Sequence, residues 1–176
     1  MIRRHAVRNG SVELAIYEYP GTGPAIVMLH GLAGSSREFE QTAEALAPRR
    51  VVLVDQRAHG DSTRSPADLG RDAFVADIVT VIERLGGDAV SLVGQSMGGH
   101  TAMLVAAKHP HLVDRLVLLE AGVGGDGDAR SRRGLQNYFE SWPAPFADRA
   151  AALAFLGDSP LQRAWVDGLE RRSDGL

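Results

Sequence analysis

The stretch VSLVGQSMGGHTAML (residues 90–104) decides how the chain is read. An apolar run ends at Gly94, Ser96 stands between Gly94 and Gly98, and a helix-forming segment begins at once with Met97. A serine directly after a buried strand and directly before a helix occupies a tight, strained turn that lifts its hydroxyl above the carboxyl edge of a sheet. Glycine is then needed at 94 and 98, because a side chain at either place would collide across the turn. The helix opening at Met97 aims its free N–H groups and the positive end of its dipole at the spot where an oxyanion would form. A serine hydroxyl is nearly inert at neutral pH, so Ser96 acts as a nucleophile only with a base, an orienting acid and an oxyanion site.

A second strand-end motif, His30-Gly31-Leu32-Ala33-Gly34, follows the apolar run AIVML (25–29). Its small residues let the backbone approach a substrate oxygen, and the Leu32 N–H is expected to join that of Met97 as the second oxyanion donor. His30 is read as fixing this loop and, with Gly31, as bordering the substrate pocket.

Working outward, AIVMLH (25–30), VVLVD (51–55), AVSLVG (89–94) and RLVLLE (115–120) are nearly continuous apolar runs, the pattern of strands covered on both faces in a parallel sheet. SVELAIYEY (11–19) alternates instead, and PGTGP (20–24) breaks it as a turn, which fits an antiparallel edge hairpin. Between the runs, SSREFEQTAEALA (35–47) carries a capping-box spacing at Ser35 and Glu38. DAFVADIVTVIERLGG (72–87) places Phe74, Ile78, Ile82 and Leu85 on one stripe and stops at Gly86-Gly87. Alternating buried strands and amphipathic helices predict an α/β fold, a doubly wound, mostly parallel sheet over residues 1–124.

The pattern changes after Glu120. AGVGGDGDA (121–129) reads as a hinge, with Asp126 and Asp128 in a turn that lacks the further ligands of a calcium loop. Three helices are then predicted, about 130–141, 148–156 and 160–172, the last with Ser159 as N-cap and Pro160 at its first position. Residues 125–176 are accordingly read as the beginning of a helical cap. Tyr138, Phe139, Trp142 and Phe146 crowd its start, where Trp142 and Phe146 either line an acyl pocket or pack the cap's own core.

Composition narrows the function classes. A net charge of −3, with 19 basic and 22 acidic residues interspersed, gives no basic stripe for nucleic acid. No apolar run approaches the roughly 18 residues needed to cross a bilayer, and the N-terminal segment lacks a signal-peptide core, so no membrane partner is expected and a cytoplasmic location is. Without cysteine there is no disulfide, thiolate or Cys-based metal site; no metal and no cofactor are implied.

HGLAGSS (30–36), VDQRAHGDS (54–62) and VGQSMGG (93–99), in this order and at these separations, resemble the α/β-hydrolase fold superfamily, serine-nucleophile branch, over residues 11 to 124. The segments FADRAAALAFLG (146–157) and SPLQRAWVDGLERR (159–172) resemble the cap of small bacterial members. The resemblance implies Ser96 as nucleophile, Leu32 and Met97 as oxyanion-hole amides, and Asp55 and Arg57 in a structural turn. It implies acyl transfer to water from an ester, lactone or thioester of a small apolar compound. Carbon–carbon bond hydrolases, perhydrolases and non-catalytic, receptor-like binders carry the same motifs.

In the family the acid and then a late histidine follow the serine, yet the last histidine here is His111. His59 and His100 are poorly placed to act as base, and His5, His109 and His111 read as surface residues. The base, and with it the last strands of the sheet, are expected from a C-terminal fragment of the same protein, which with a small-molecule substrate makes up the expected partners. Glu120, ending the strand next to the serine strand, is either the orienting acid or a residue that ties down the hinge.

Overall fold

The apolar runs become strands in a computed structural model that describes residues 1–122 and 129–169. The strands are β1 (Arg3–Asn9), β2 (Val12–Tyr19), β3 (Thr22–Leu29), β4 (Arg49–Val54), β5 (Val90–Gln95) and β6 (Val113–Leu119). They form one sheet in the order β1-β2-β4-β3-β5-β6. β3 pairs in parallel with β4 and β5, and β5 with β6, while β1 and β2 make an antiparallel edge on β4. The hairpin of that edge turns at Gly10 (φ +60), a left-handed conformation that costs glycine little. PGTGP is not a hairpin turn: β3 already begins at Thr22, and β4 lies between β2 and β3.

The runs are continuous because both faces of the central strands are covered. Val27, Leu29, Val52, Val54 and Leu92 face α2 (Arg71–Arg84) and α3 (Met97–Lys108), where Val75, Ile78, Val81, Ile82, Ala102 and Val105 complete one core. Met28, Val51 and Leu53, the alternate residues, pack on Phe39 and Ala43 across the other face. Each large apolar side chain buried this way contributes roughly 1.5–3 kcal/mol. Gly86 (φ +126) and Gly87 (φ +77) stop the chain after α2 as expected. At the far side β6 pairs with β5, and Leu116, Val117 and Leu119 are 37, 44 and 40% exposed.

The capping box at Ser35 and Glu38 does not form. A 3-10 turn, Ser36–Phe39, leads into the short α1 (Glu40–Ala45), and Ser35 makes no side-chain cap bond. The Glu38 carboxylate accepts instead from the Gly31 N–H (3.3 Å).

The chain divides into two compact units, Met1–Gly122 and Val123–Leu176. In the second, α4 (Ala129–Glu140), α5 (Arg149–Leu156) and α6 (Pro160–Asp167) are described. Asp148 caps α5 by accepting from the Ala151 N–H at 2.8 Å, and Ser159 caps α6 with Pro160 in its first turn. α6 is shorter than predicted, ending at Asp167 with Gly168 as its C-cap, and positions 170–172 lie outside the described residues, as do Asp126 and Asp128.

Candidate active site

β3 lies between β4 and β5, so the chain crosses from one half of the sheet to the other at its carboxyl end, where α/β sheets open a crevice. The two strand-end motifs meet there, since Leu29 pairs with Gly94. Ser96 sits at φ +49, ψ −112, a conformation a side-chain-bearing residue holds only under strain. The crossing of strand and helix forces it: a β-carbon on Gly94 would stand 2.3 Å from the Gly98 carbonyl oxygen, and one on Gly98 2.3 Å from that of Leu29. The Ser96 N–H is held by the Leu119 carbonyl (2.9 Å), while its hydroxyl does not cap α3. Met97, the first residue of α3, carries one of the N–H groups that a helix leaves unpaired at its start.

The HGLAG loop is fixed from beneath by His30. The Gln56 N–H donates to His30 Nε2 (2.9 Å), so the ring proton is on Nδ1 and donates to the Gly31 carbonyl (2.8 Å). Gln56 Nε2 also donates to the His30 carbonyl (2.7 Å). Burial pushes the imidazole pKa down to about 3, so His30 is neutral and both its nitrogens are committed. The Gly31 carbonyl accepts a second bond, from the Gly34 N–H (3.2 Å). In a trans peptide C=O and N–H point in opposite directions, so this double anchoring turns the Leu32 N–H away from the buried ring. No described residue accepts that N–H.

The turn after β4 supports the loop. Asp55 accepts from the Ser36 N–H (2.6 Å) and the Asp61 N–H (2.8 Å), and its carboxylate fills the place of a side chain at Gly60. Arg57 makes a two-pronged pair with Asp77 (2.7 and 2.8 Å) and donates to the Asp68 carbonyl (2.6 Å). His59 leans on the His30 ring at 5.1 Å and bonds the Arg57 carbonyl.

These features match the family model described as alpha/beta hydrolase fold over residues 24–161. The chain belongs to the alpha/beta hydrolase fold family. It is 47% identical over 102 residues to the "sn-1-specific diacylglycerol lipase ABHD11" of Mus musculus, covering 56% of this chain and 33% of that protein. This hydrolase-fold chain thus spans about a third of the length of that curated relative. Among solved structures, E-2-(acetamidomethylene)succinate hydrolase superposes with a TM-score of 0.87 at 24% identity, over 99% of this chain and 67% of that one. A marine microorganism esterase does so at 0.76 and 27%, over 94% and 67%.

Of the residues singled out in the hydrolase sequence, His30, Gly31, Leu32, Ser96, Met97 and Glu120 all fall at the ends of β3, β5 and β6. Glu120 takes a positive φ of 50 and accepts a long bond from Gln95 Nε2 (3.4 Å). Phe146 is buried in the second unit with Ala152, Leu156 and Val166, and Trp142 packs against it with rings 6.2 Å apart. Three residues of the site escaped the sequence reading: Gln56, Glu38 and Gln95. Gln95 had a signal, as the residue before the serine, for its side chain lies against Gly31 so closely that a β-carbon there would stand 2.1 Å from Gln95 Oε1.

Proposed function

We propose that this protein is a serine hydrolase of ester-like, uncharged, apolar small molecules. The observation that carries the reading is Ser96 itself: a strained residue, its hydroxyl free of the helix cap, at the head of α3 and beside a loop whose Leu32 N–H is unbonded among the described residues. In this reading Ser96 Oγ attacks the acyl carbonyl while its proton passes to an imidazole. The oxyanion of the tetrahedral intermediate accepts from Leu32 and Met97. Collapse releases the alcohol or thiol with the returned proton, and water, deprotonated by the same imidazole, cleaves the acyl-enzyme to acid and free serine. The name of the mouse relative fits this class, since a diacylglycerol is a neutral, apolar ester.

The imidazole is assigned to sequence beyond residue 176. His30 cannot serve, as both its nitrogens are bonded and burial keeps it neutral. No imidazole is bonded to the Ser96 hydroxyl among the described residues; His100 reaches Ser96 only through its backbone N–H, which donates to the Ser96 carbonyl. Glu120 stands either as the orienting acid or as a residue that ties down the hinge, and its long bond from Gln95 Nε2 supports a holding role at the strand end. Trp142 and Phe146 are assigned to the core of the second unit, which supports a cap that folds on its own packing.

A fluorophosphonate probe tests the reading: the intact protein is expected to be labelled at Ser96 and to lose labelling in Ser96→Ala. Residues 1–176 alone are expected to show little or no p-nitrophenyl acetate turnover. Tight ligand binding by the intact protein without labelling would replace the enzyme reading with a receptor-like one. Turnover by residues 1–176 that Ser96→Ala abolishes would refute the assignment of the base.

A further inference from the structure

We infer that Glu38 is a positioning residue, a carboxylate clamp that holds the HGLAG loop in the shape that presents the Leu32 N–H. The clamp stands on geometry alone; its catalytic consequence rests on the serine-hydrolase reading. Glu38 Oε2 accepts the Gly31 N–H at 3.3 Å. A β-carbon on Gly34 would stand 1.7 Å from Glu38 Oε1 and 2.5 Å from its Cδ, so the carboxylate lies in the hollow that Gly34 leaves. The loop is held at a second point as well, because Gln95 Oε1 fills the equivalent hollow at Gly31.

The carboxylate is not a freely moving surface group. Its backbone belongs to the 3-10 turn Ser36–Phe39, pinned at one end by the Ser36 N–H to Asp55 (2.6 Å) and at the other by Phe39, buried against the sheet. Every polar atom of Gly31 is therefore committed: N–H to Glu38, carbonyl to His30 and Gly34. Two consequences follow. Gly31 is withdrawn as an oxyanion donor, which leaves Leu32 to meet the substrate oxygen. The peptide plane between them is also preset, so no reorganisation is needed when charge develops. Without Glu38 the Gly31 N–H is freed to compete for water or substrate, and the loop loses its bond on that side.

The test compares Glu38→Ala and Glu38→Gln in the intact protein by two measurements. Hydrogen exchange of the amides of residues 31–34 is read against those of β4 (Val51–Val54), which report global opening. The rate of fluorophosphonate labelling of Ser96 is read in parallel. Loss of a hydrogen bond to a charged group corresponds to about tenfold or more. Glu38→Ala is expected to speed exchange at 31–34 by about that factor with β4 unchanged, and to slow labelling by about tenfold. Glu38→Gln, which keeps an acceptor oxygen, is expected to restore both to within about threefold. Unchanged exchange in Glu38→Ala overturns the clamp, and faster exchange with unchanged labelling overturns its link to the oxyanion site. If the wild type is not labelled at all, the hydrolase reading fails, and the exchange result still decides the clamp.

Discussion

Gly98 lies against Leu29 so closely that a β-carbon on it would stand 2.3 Å from the Leu29 carbonyl oxygen and 2.6 Å from that of His30. This contact joins the serine turn to the HGLAG loop, and neither backbone can yield, because Leu29 is paired with Gly94 within the sheet.

Gly98→Ala is therefore expected to cost about 3 kcal/mol or to prevent folding, an overpacking effect against backbone rather than a flexible side chain. Gly134→Ala is the control. Gly134 lies within α4 with nothing near the position of a β-carbon, so the change is expected to stabilise by about 0.5–1 kcal/mol. Urea unfolding of both variants checks the contrast, and equal effects would refute the steric account.

Ser96 occupies φ +49, ψ −112, which only glycine adopts without strain. Ser96→Gly is expected to raise stability by about 1 kcal/mol while abolishing fluorophosphonate labelling, the trade expected where strain serves a reactive group. Ser96→Ala keeps the strain and is expected to abolish labelling with stability close to wild type. A destabilised glycine variant would show that the turn holds Ser96 without cost.

The buried pair of Arg57 and Asp77 locks the turn after β4 to α2, with side chains 5 and 2% exposed. Asn9 Nδ2 adds a third bond to Asp77 (2.8 Å). Asp77→Ala strands the guanidinium without its partner, for which about 3–5 kcal/mol is expected. Thermal melts of Asp77→Ala and of the double variant Arg57→Met/Asp77→Leu separate the two contributions: the double variant is expected to recover a large part of the loss. If it is as unstable as the single one, the pair contributes more than relief of an orphaned charge.

What the sequence makes legible follows from how local each signal is. The serine turn is readable because one short stretch contains a change of period from strand to helix and the two glycines that sterics demand. The buried strands are readable because coverage on both faces removes polar alternation. β1 escapes, since Arg3, Arg4 and Arg8, all exposed and lying on both faces, mask a strand that only pairing with β2 explains. Glu38 escapes for a different reason: Ser-x-x-Glu fits a helix cap, and only the fold brings Gly31 within its reach. Gln56 acts through a strand distant in sequence, so no local pattern announces its grip on His30.

His30 makes the stability pH-dependent in a defined window. Burial lowers its pKa from 6.5 to about 3 in the folded state, while the unfolded chain keeps the ordinary value. Above about pH 6.5 both states hold neutral imidazole and the contribution is intact. As pH falls below 6.5 the unfolded state takes up a proton that the folded state refuses, so stability declines until the folded group itself titrates near pH 3. Over that window the loss is on the order of a few kcal/mol. Other titrating groups add their own slopes, so the measurement is a comparison: His30→Gln is expected to be less stable than wild type at pH 7, because two buried bonds are altered, but to lose less stability between pH 6.5 and 4. Urea unfolding of both proteins across this range gives the difference. Parallel curves would mean that His30 does not titrate between the two states, and its neutrality in the folded protein would then not rest on burial.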